Sequence, residues 1–269
     1  MAGDLMSFKD VTVKEIENGT YMLTDLFNDH FYLLVGKQKA LLIDGGIGNL
    51  SVPRLIREMT DKPVVHALTH GHLDHLGCVG MFKETYISYK DISLFQRHIQ
   101  NRLIKRKFIE AKFLKYGNEL SEAEKKGYTE ALLEQETETV LLDLPDQFDL
   151  GERIVKVISV PGHTQGSTVF YDECSEYLFS GDSICDMGIL LHFEESCSVE
   201  EYASALKDLK QYPLTGIGNG HHRGLIGPEY LSKYLALCAI VLDSDRSQDV
   251  YHYEDISIRT GPRQSSTFL

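Results

Sequence analysis

Short apolar or alternating runs fill the first part of the chain, at Val11–Val13, Thr20–Leu23, His30–Val35 and Ala40–Ile43, with Asn18-Gly19 and Gly36-Lys37 as breaks. Alternation bounded by Gly and Asn is the pattern of strands joined by tight turns, so this region predicts strands and hairpins. The run Leu41-Leu42-Ile43 ends in Asp44-Gly45-Gly46. From Ser51 to Met59 the apolar positions fall at Leu55, Ile56 and Met59, a helical spacing. A buried strand follows at Val64–Leu68 and a short one at Thr85–Ser88. The span from about Asp91 to Thr139 carries few strand signals and many helix formers, and predicts two or three helices.

Beyond it, Ile154–Val160, Thr168–Tyr171, Tyr177–Ser180 and Leu214–Ile217 read as strands. Val199–Leu209 reads as an amphipathic helix, with Ser198 as N-cap and Glu200 and Glu201 at its positive end. Pro228–Leu242 is the last long helix, and Val250–Arg259 alternates like a final edge strand. No low-complexity linker and no repeat of solenoid period interrupts the pattern.

The 269 residues, 42% apolar, suffice for one large domain or two small ones. The 27 basic against 40 acidic residues leave a formal charge of −13, which argues against nucleic acid or anionic lipid as the main partner. The longest apolar run, Leu235–Leu242, is far shorter than the roughly 20 residues that cross a bilayer. Met1–Asp10 carries Asp4, Lys9 and Asp10 and no apolar leader core, and the five cysteines are scattered without a CxxC pair. Together these predict a reducing, cytoplasmic setting. Charge is locally polarised: Arg102–Lys115 holds six basic residues against Glu110, and Glu119–Glu138 is acid-rich. The plainer reading is solvated or mutually paired helix faces. The sharper one is a helical cap that sets cations over an anionic small-molecule substrate.

The chemistry concentrates at strand ends. After Val64–Leu68 the chain turns to Thr69-His70-Gly71-His72-Leu73-Asp74-His75-Leu76-Gly77, poor core material at the kind of junction where α/β proteins keep their chemistry. Imidazole and carboxylate donors suit Zn²⁺ or Fe²⁺ better than Ca²⁺ or Mg²⁺. A turn at Gly71 aims His70 and His72 at one ion, while Asp74 and His75 face a second. Three further donors stand just past strand ends, at His163, Asp182 and His221. His30, His66, His98 and His252 read as ordinary surface or core residues.

Thr-His-Gly-His-Leu-Asp-His at 69–75, Leu-Ile-Asp-Gly-Gly around Asp44, Pro-Gly-His-Thr-Gln-Gly-Ser around His163, Gly-Asp-Ser around Asp182 and Gly-His at 220–221 together resemble the five-part signature of the metallo-β-lactamase superfamily, in order from about Val11 to about Ile226. The resemblance implies an α+β fold, a four-layer αββα sandwich with the metal site at one edge between its sheets. It implies a single domain over 1–269, with a helical insertion at about 91–139. His70, His72 and His163 would hold one ion and Asp74, His75 and His221 another, with Asp182 bridging. Asp44 would fix a ligand imidazole through its other N–H. His222 could exchange roles with His221, and Gly220 before the donor favours His221. Two divalent ions per chain are implied, zinc foremost, with iron or manganese fitting the same donors.

Relatives that hydrolyse β-lactams commonly have Cys in place of Asp182, so antibiotic hydrolysis is disfavoured. Asp at both 74 and 182 resembles hydroxyacylglutathione hydrolases, lactonases and phosphodiesterases. Two features depart from the thioesterase pattern: His75 and His163 stand 88 positions apart, and little but one helix and one strand follows His222. The implied activity is hydrolysis of a small ester, thioester, lactone or phosphodiester by a metal-bridged hydroxide, with Asp74 as the catalytic residue that orients it or moves its proton. His192 is a candidate oxyanion donor, though a solvent-facing loop His is the commoner case. Cys185 reads as an inert buried thiol, and Phe95, Phe108, Phe113 and Tyr116 as packing. The alternatives are a single Fe²⁺ on His70, His163 and Asp182 oxidising a persulfide with O₂, and a non-catalytic metal-binding protein.

Overall fold

The alternating runs at the start of the chain form one large sheet. The computed structural model describes residues 5–8, 10–47, 50–117 and 119–266; part of the segment read for a leader, at 1–4 and 9, lies outside them. Eight strands follow chain order across this sheet: β1 (Leu5–Phe8), β2 (Val11–Glu17), β3 (Thr20–Asp25), β4 (His30–Val35), β5 (Ala40–Ile43), β6 (Val64–Ala67), β7 (Glu84–Tyr86) and β8 (Val140–Leu142). Pairing is antiparallel from β1 to β5 and parallel from β5 to β8. Parallel neighbours need crossovers. Helix α1 (Val52–Met59) supplies the one between β5 and β6, and three helices lie between β7 and β8: α2 (Ile92–Gln100), α3 (Arg102–Tyr116) and α4 (Glu122–Glu134).

The second sheet contains β9 (Gln147–Asp149), β10 (Ile154–Ser159), β11 (Thr168–Asp172) and β12 (Tyr177–Gly181). After β13 (Ile189–Leu190) and helix α5 (Val199–Asp208) it is completed by β14 (Gly216–Asn219) and β15 (Leu225–Ile226), in the order β15-β14-β12-β11-β10-β9. Helix α6 (Glu229–Asp243) leads to β16 (Val250–Tyr253) and β17 (Ile256–Arg259), which form a small sheet with β13.

Alternation within single strands explains why so many runs are apolar throughout. In β4 and β5, Phe31, Leu33, Ala40 and Leu42 face the α1 side with Val52, Leu55 and Ile56. Their neighbours Tyr32, Leu34, Leu41 and Ile43 face the second sheet, against Val155, Phe170 and Phe179. In β11 the same switch sends Val169 and Tyr171 outward to α5 and α6, where Tyr202, Leu206, Tyr234 and Leu237 cover them. Strands buried on both faces must be apolar on both. The layers are therefore helix, sheet, sheet, helix, the expected αββα arrangement.

Two expectations shift. The strand expected at Leu214–Ile217 lies at Gly216–Asn219, in parallel register with β12 (Leu178 opposite Ile217). Its glycines admit aromatic rings: a Cβ on Gly218 would stand 2.8 Å from Tyr32 and 2.9 Å from Phe179. The single edge strand expected at Val250–Arg259 is a hairpin, β16–β17, in its own three-stranded sheet. The alternation slips by one residue at Glu254-Asp255: Tyr251 is buried before the turn and Ile256 and Ile258 after it. Among the described residues, no helix is long and apolar enough to cross a membrane.

Candidate metal centre

The donor-rich loops leave the ends of strands from both sheets and meet at one edge. After β6 the backbone carries His70 and His72 and then a single 3-10 turn, Leu73–His75. His163 follows β10, Asp182 follows β12 and His221 follows β14. All seven side chains singled out as ligands come together here. Ligand atoms of His70, His72 and His163 lie within 4.8 Å of one another, as do those of His70, His75 and Asp182, and those of Asp74, His75 and His221. Asp182 stands between the groups: its Oδ2 is 3.5 Å from His163 Nε2, and its Oδ1 is 3.4 Å from His75 Nε2 and 3.2 Å from His221 Nε2. His222 is in none of these groups and lines the adjoining cavity beside His221. The approach demands glycine at 220, where a Cβ would lie 2.7 Å from Asp182 Oδ1 and 2.9 Å from His75 Cε1.

Each imidazole has its outward nitrogen anchored. His75 Nδ1 donates to Asp44 at 2.9 Å, His221 Nδ1 to Asp29 at 3.0 Å and His72 Nε2 to Glu195 at 2.9 Å. His163 Nδ1 donates to the Leu190 carbonyl at 2.9 Å. His70 Nδ1 lies 3.0 Å from the Thr69 hydroxyl, which itself donates to Asp44 at 2.8 Å, so the ring must be the donor there. These bonds leave the inward nitrogen of each ring as the one that carries a lone pair when the ring is neutral. His72 Nδ1 is then 3.1 Å from His70 Nε2 and 2.8 Å from His163 Nε2. Lone pairs so close repel unless a cation lies among them; the nitrogens of a tetrahedral zinc site with bonds of about 2.0–2.1 Å are spaced about 3.3 Å apart. Buried His75 Nε2 and Asp182 Oδ1 have no hydrogen-bond partner, a costly arrangement for polar atoms without a ligand. The donor set fits a divalent ion in each group.

The two groups differ in charge. Burial and the neighbouring His72 push His163 down to about 4, and burial with His75 and His72 holds His70 well below its usual value. Burial also opposes protonation of His221, but Asp182 and Asp29 outweigh it and raise that imidazole to about 10. His75 is raised in the same way by Asp44 and Asp182 against the effect of burial. Asp74 is held well below the carboxylate range: burial opposes ionisation, and Lys112, His75 and His221 overcome it.

Beside this centre lies a cavity of about 320 Å³ walled by the β-strand loops and α3. On α3 the basic run divides between partners on α4 and the cavity. Arg102 and Arg106 pair with Glu130 on α4, and Lys105 donates to the Leu132 carbonyl. Lys112 and Lys115 line the cavity, with Ile104, Phe108, Ala111 and Tyr116 as an apolar wall. Phe95 and Phe113 pack in the core as expected, but Phe108 and Tyr116 face the cavity. Of the histidines read as ordinary, His98 lines the cavity 5.6 Å from the His72 ring, with Nδ1 donating to the Gly71 carbonyl at 3.1 Å. His192 is buried, with its ring 4.4 Å from that of Phe193, and is not among the lining residues, so it is neither the solvent-facing loop residue nor a donor into the cavity. Cys185 is a buried thiol whose Sγ lies 3.5 Å from the Gly181 carbonyl.

Several contributors escaped sequence reasoning. Asp29 and Glu195 are single charges in unremarkable contexts, and Lys112 is one of six basic residues in its run with nothing to mark it out; all three reach the centre only through the fold. Asp91 joins two donor loops: its carboxylate accepts from Gly71 N at 2.9 Å, Thr164 Oγ1 at 2.7 Å and Gly166 N at 2.8 Å. Its place at the start of α2 gave only the ordinary signal of an acid before a helix.

The family described as Metallo-beta-lactamase superfamily matches residues 25–221 of the chain. The chain is similar to an acyl-coenzyme A thioesterase, MBLAC2, of Gallus gallus, at 24% identity over 76% of each chain. It is also similar to a hydroxyacylglutathione hydrolase of Buchnera aphidicola, at 27% identity over 61% of this chain and 50% of that one. Among solved structures, a metallo-beta-lactamase from Pontibacter korlensis superposes with a TM-score of 0.59 at 18% identity, over 85% of this chain and 99% of the other. That likeness speaks for the fold alone.

Proposed function

The chain belongs to the metallo-beta-lactamase superfamily, and from that premise we propose that it is a metal-dependent hydrolase of small-molecule esters, thioesters, lactones or phosphodiesters, with two ions, foremost zinc, at the strand-end centre. We read it as one domain in which α2–α4 form an insertion. His70, His72 and His163 hold one ion, Asp74, His75 and His221 the other, and Asp182 joins them. One observation carries this reading: five imidazoles are each anchored on the outward nitrogen, and the free nitrogens of His75, His163 and His221 stand beside a carboxylate whose two oxygens face different groups. A single iron on His70, His163 and Asp182 would leave Asp74, His75 and His221 with no task, which favours hydrolysis over persulfide oxidation.

Bound ions supply Lewis acidity, polarising the scissile carbonyl or phosphoryl oxygen and lowering the pKa of water towards about 7. The chain supplies the rest. Asp74 orients the attacking water and carries its proton, the apolar wall of Ile104, Phe108 and Tyr116 excludes bulk solvent, and Lys115 at the cavity lining meets an anionic part of the substrate. The apolar wall beside a cation, and a relative named as an acyl-coenzyme A thioesterase, support taking thioesters as the first substrates to try. The test is metal analysis of protein purified without a chelating tag, followed by turnover of acyl thioesters, lactones and phosphodiesters. Two ions per chain with zinc-dependent hydrolysis are expected; one iron per chain with oxygen uptake on a persulfide would overturn the proposal.

A further inference from the structure

The second ion group is not completed by the sheets alone. Lys112, from the middle of α3, places Nζ 2.6 Å from Asp29 Oδ1 and 3.3 Å from Asp74 Oδ2. The same Asp29 oxygen accepts from His221 Nδ1 at 3.0 Å. One ammonium therefore touches two of the three residues of that group, one directly and one through a carboxylate that is 1% exposed. Its position is set by packing: Ile109 and Phe113 of α3 pack with Phe27 and Ile47, the Phe27 and Phe113 rings 4.8 Å apart. No residue of the His70, His72 and His163 group touches α3 in this way; those rings are anchored by Thr69, Glu195 and Leu190.

We infer that Lys112 is a positioning residue for the second ion group, and that through it the docking of α3 and the occupancy of that group are linked. The inference rests on the two-ion reading above. A ligating carboxylate has a second oxygen, and a donor on that oxygen fixes the plane of the first. Lys112 holds the Asp74 carboxylate by an ion pair to Oδ2, which also lies 3.7 Å from His221 Nε2. By holding Asp29 it also fixes the His221 tautomer, keeping Nε2 the free nitrogen that faces Asp182. Without the ammonium, Asp29 and Asp74 become neighbouring buried acids that share only the His221 ring, and Asp29 loses a donor it cannot replace from water. Linkage is reciprocal: if docked α3 strengthens the second ion's binding, the second ion strengthens α3 docking by the same factor. Charge repulsion alone gives the opposite sign, because an ammonium beside the group disfavours a dication. The direction of the effect decides between the two.

The test titrates metal-free wild-type protein, Lys112→Met, Lys112→Arg and Asp29→Asn with Zn²⁺ against a chromophoric chelator, and follows hydrogen exchange over 102–116 at one and two equivalents. The expected result is two ions in the wild type, with the second bound about 10- to 100-fold more weakly in Lys112→Met while the first changes little. Lys112→Arg recovers most of the loss, and Asp29→Asn reproduces it from the other side of the contact. In the wild type the second equivalent adds protection to α3, and in Lys112→Met it does not. A second ion bound equally or more tightly in Lys112→Met overturns the inference and leaves the two-ion reading intact. So does α3 protection indifferent to the second equivalent. Wild-type protein that takes up no divalent ion overturns the hydrolase reading and this inference with it.

Discussion

The two donor groups share Asp182 yet are built on different terms. Around His70, His72 and His163 the outward nitrogens meet a hydroxyl, a carboxylate and a backbone carbonyl, and two of these imidazoles are pushed below their usual pKa. Around Asp74, His75 and His221 the anchors are carboxylates, Asp44 and Asp29, and the imidazoles are pushed up. The first group belongs to the sandwich, and the second also depends on α3. A neutral anchor orients a ring, whereas an anionic one also makes its free nitrogen a stronger donor. The second group should therefore be the more sensitive to changes outside the residues that touch the ion.

The largest effect is expected where the groups meet. Asp182→Ala removes the oxygen that faces each group, so metal content should fall for both ions and kcat/KM by at least about 100-fold. Metal analysis beside steady-state kinetics checks it; two ions retained per chain would mean the groups are not joined at Asp182.

Next come the changes that separate the groups. His163→Ala and His221→Ala should each cost one ion, and the ion that remains should report which group was spared. Cobalt substitution makes the difference visible, because the three-nitrogen group and the carboxylate-containing group give different ligand-field spectra. Identical spectra from the two one-ion variants would break the comparison.

How much of this was legible beforehand depended on whether the signal was contiguous. Four donors packed into 70–75, and single donors beside glycine after strands, stood out because such residues are costly at strand ends unless they have work to do. The inner faces of β4 and β5 were legible because their alternation is only apolar against apolar, which still reads as a strand. The basic run on α3 was legible as cations near the site, but not the division of work within it: Lys105 lies two turns before Lys112 on the same helix face, and nothing local says that one caps α4 while the other reaches Asp29 from 83 positions away. Glu195 is equally silent, 123 positions from His72. Tertiary packing chose these residues, and periodicity records only that a helix side is buried. The hairpin at β16–β17 was missed for a related reason. A two-residue turn that shifts alternation by one looks like a continuing strand until pairing is seen.

Asp44→Asn gives a smaller, more selective change. Asp44 sits at φ 63°, a left-handed conformation that Asn tolerates well, so the substitution tests charge with little backbone strain. Asp44 anchors His75 directly and His70 through Thr69. Second-ion affinity should fall about 10- to 100-fold and first-ion affinity less, as measured by chelator competition. Equal losses would show that Asp44 serves both rings alike and would remove the asymmetry.

The smallest effect comes from a histidine outside the centre, and it shows what burial alone does to an imidazole. His66 on β6 is fully buried, lies 3.1 Å from the Thr85 hydroxyl through Nδ1, stacks on Phe82 at 4.7 Å and has a bare Nε2. Burial, partly opposed by Asp44, pushes it down to about 4. A lowered pKa and an orphaned nitrogen are therefore not by themselves marks of a metal site; His66 has both and meets no second donor. Convergence makes the difference at His70, His72 and His163. With the folded pKa near 4 and the unfolded value near 6.5, the unfolded chain binds a proton that the folded chain refuses. The stability cost is absent above about pH 6.5 and grows as pH falls towards 4, reaching roughly 2 kcal/mol by pH 5. His66→Gln should flatten that part of the denaturation profile and leave zinc stoichiometry unchanged. If it also releases an ion, β6 transmits more to the centre than its hydrogen bonds indicate, and the division between sandwich-built and α3-dependent groups would have to be redrawn along that strand.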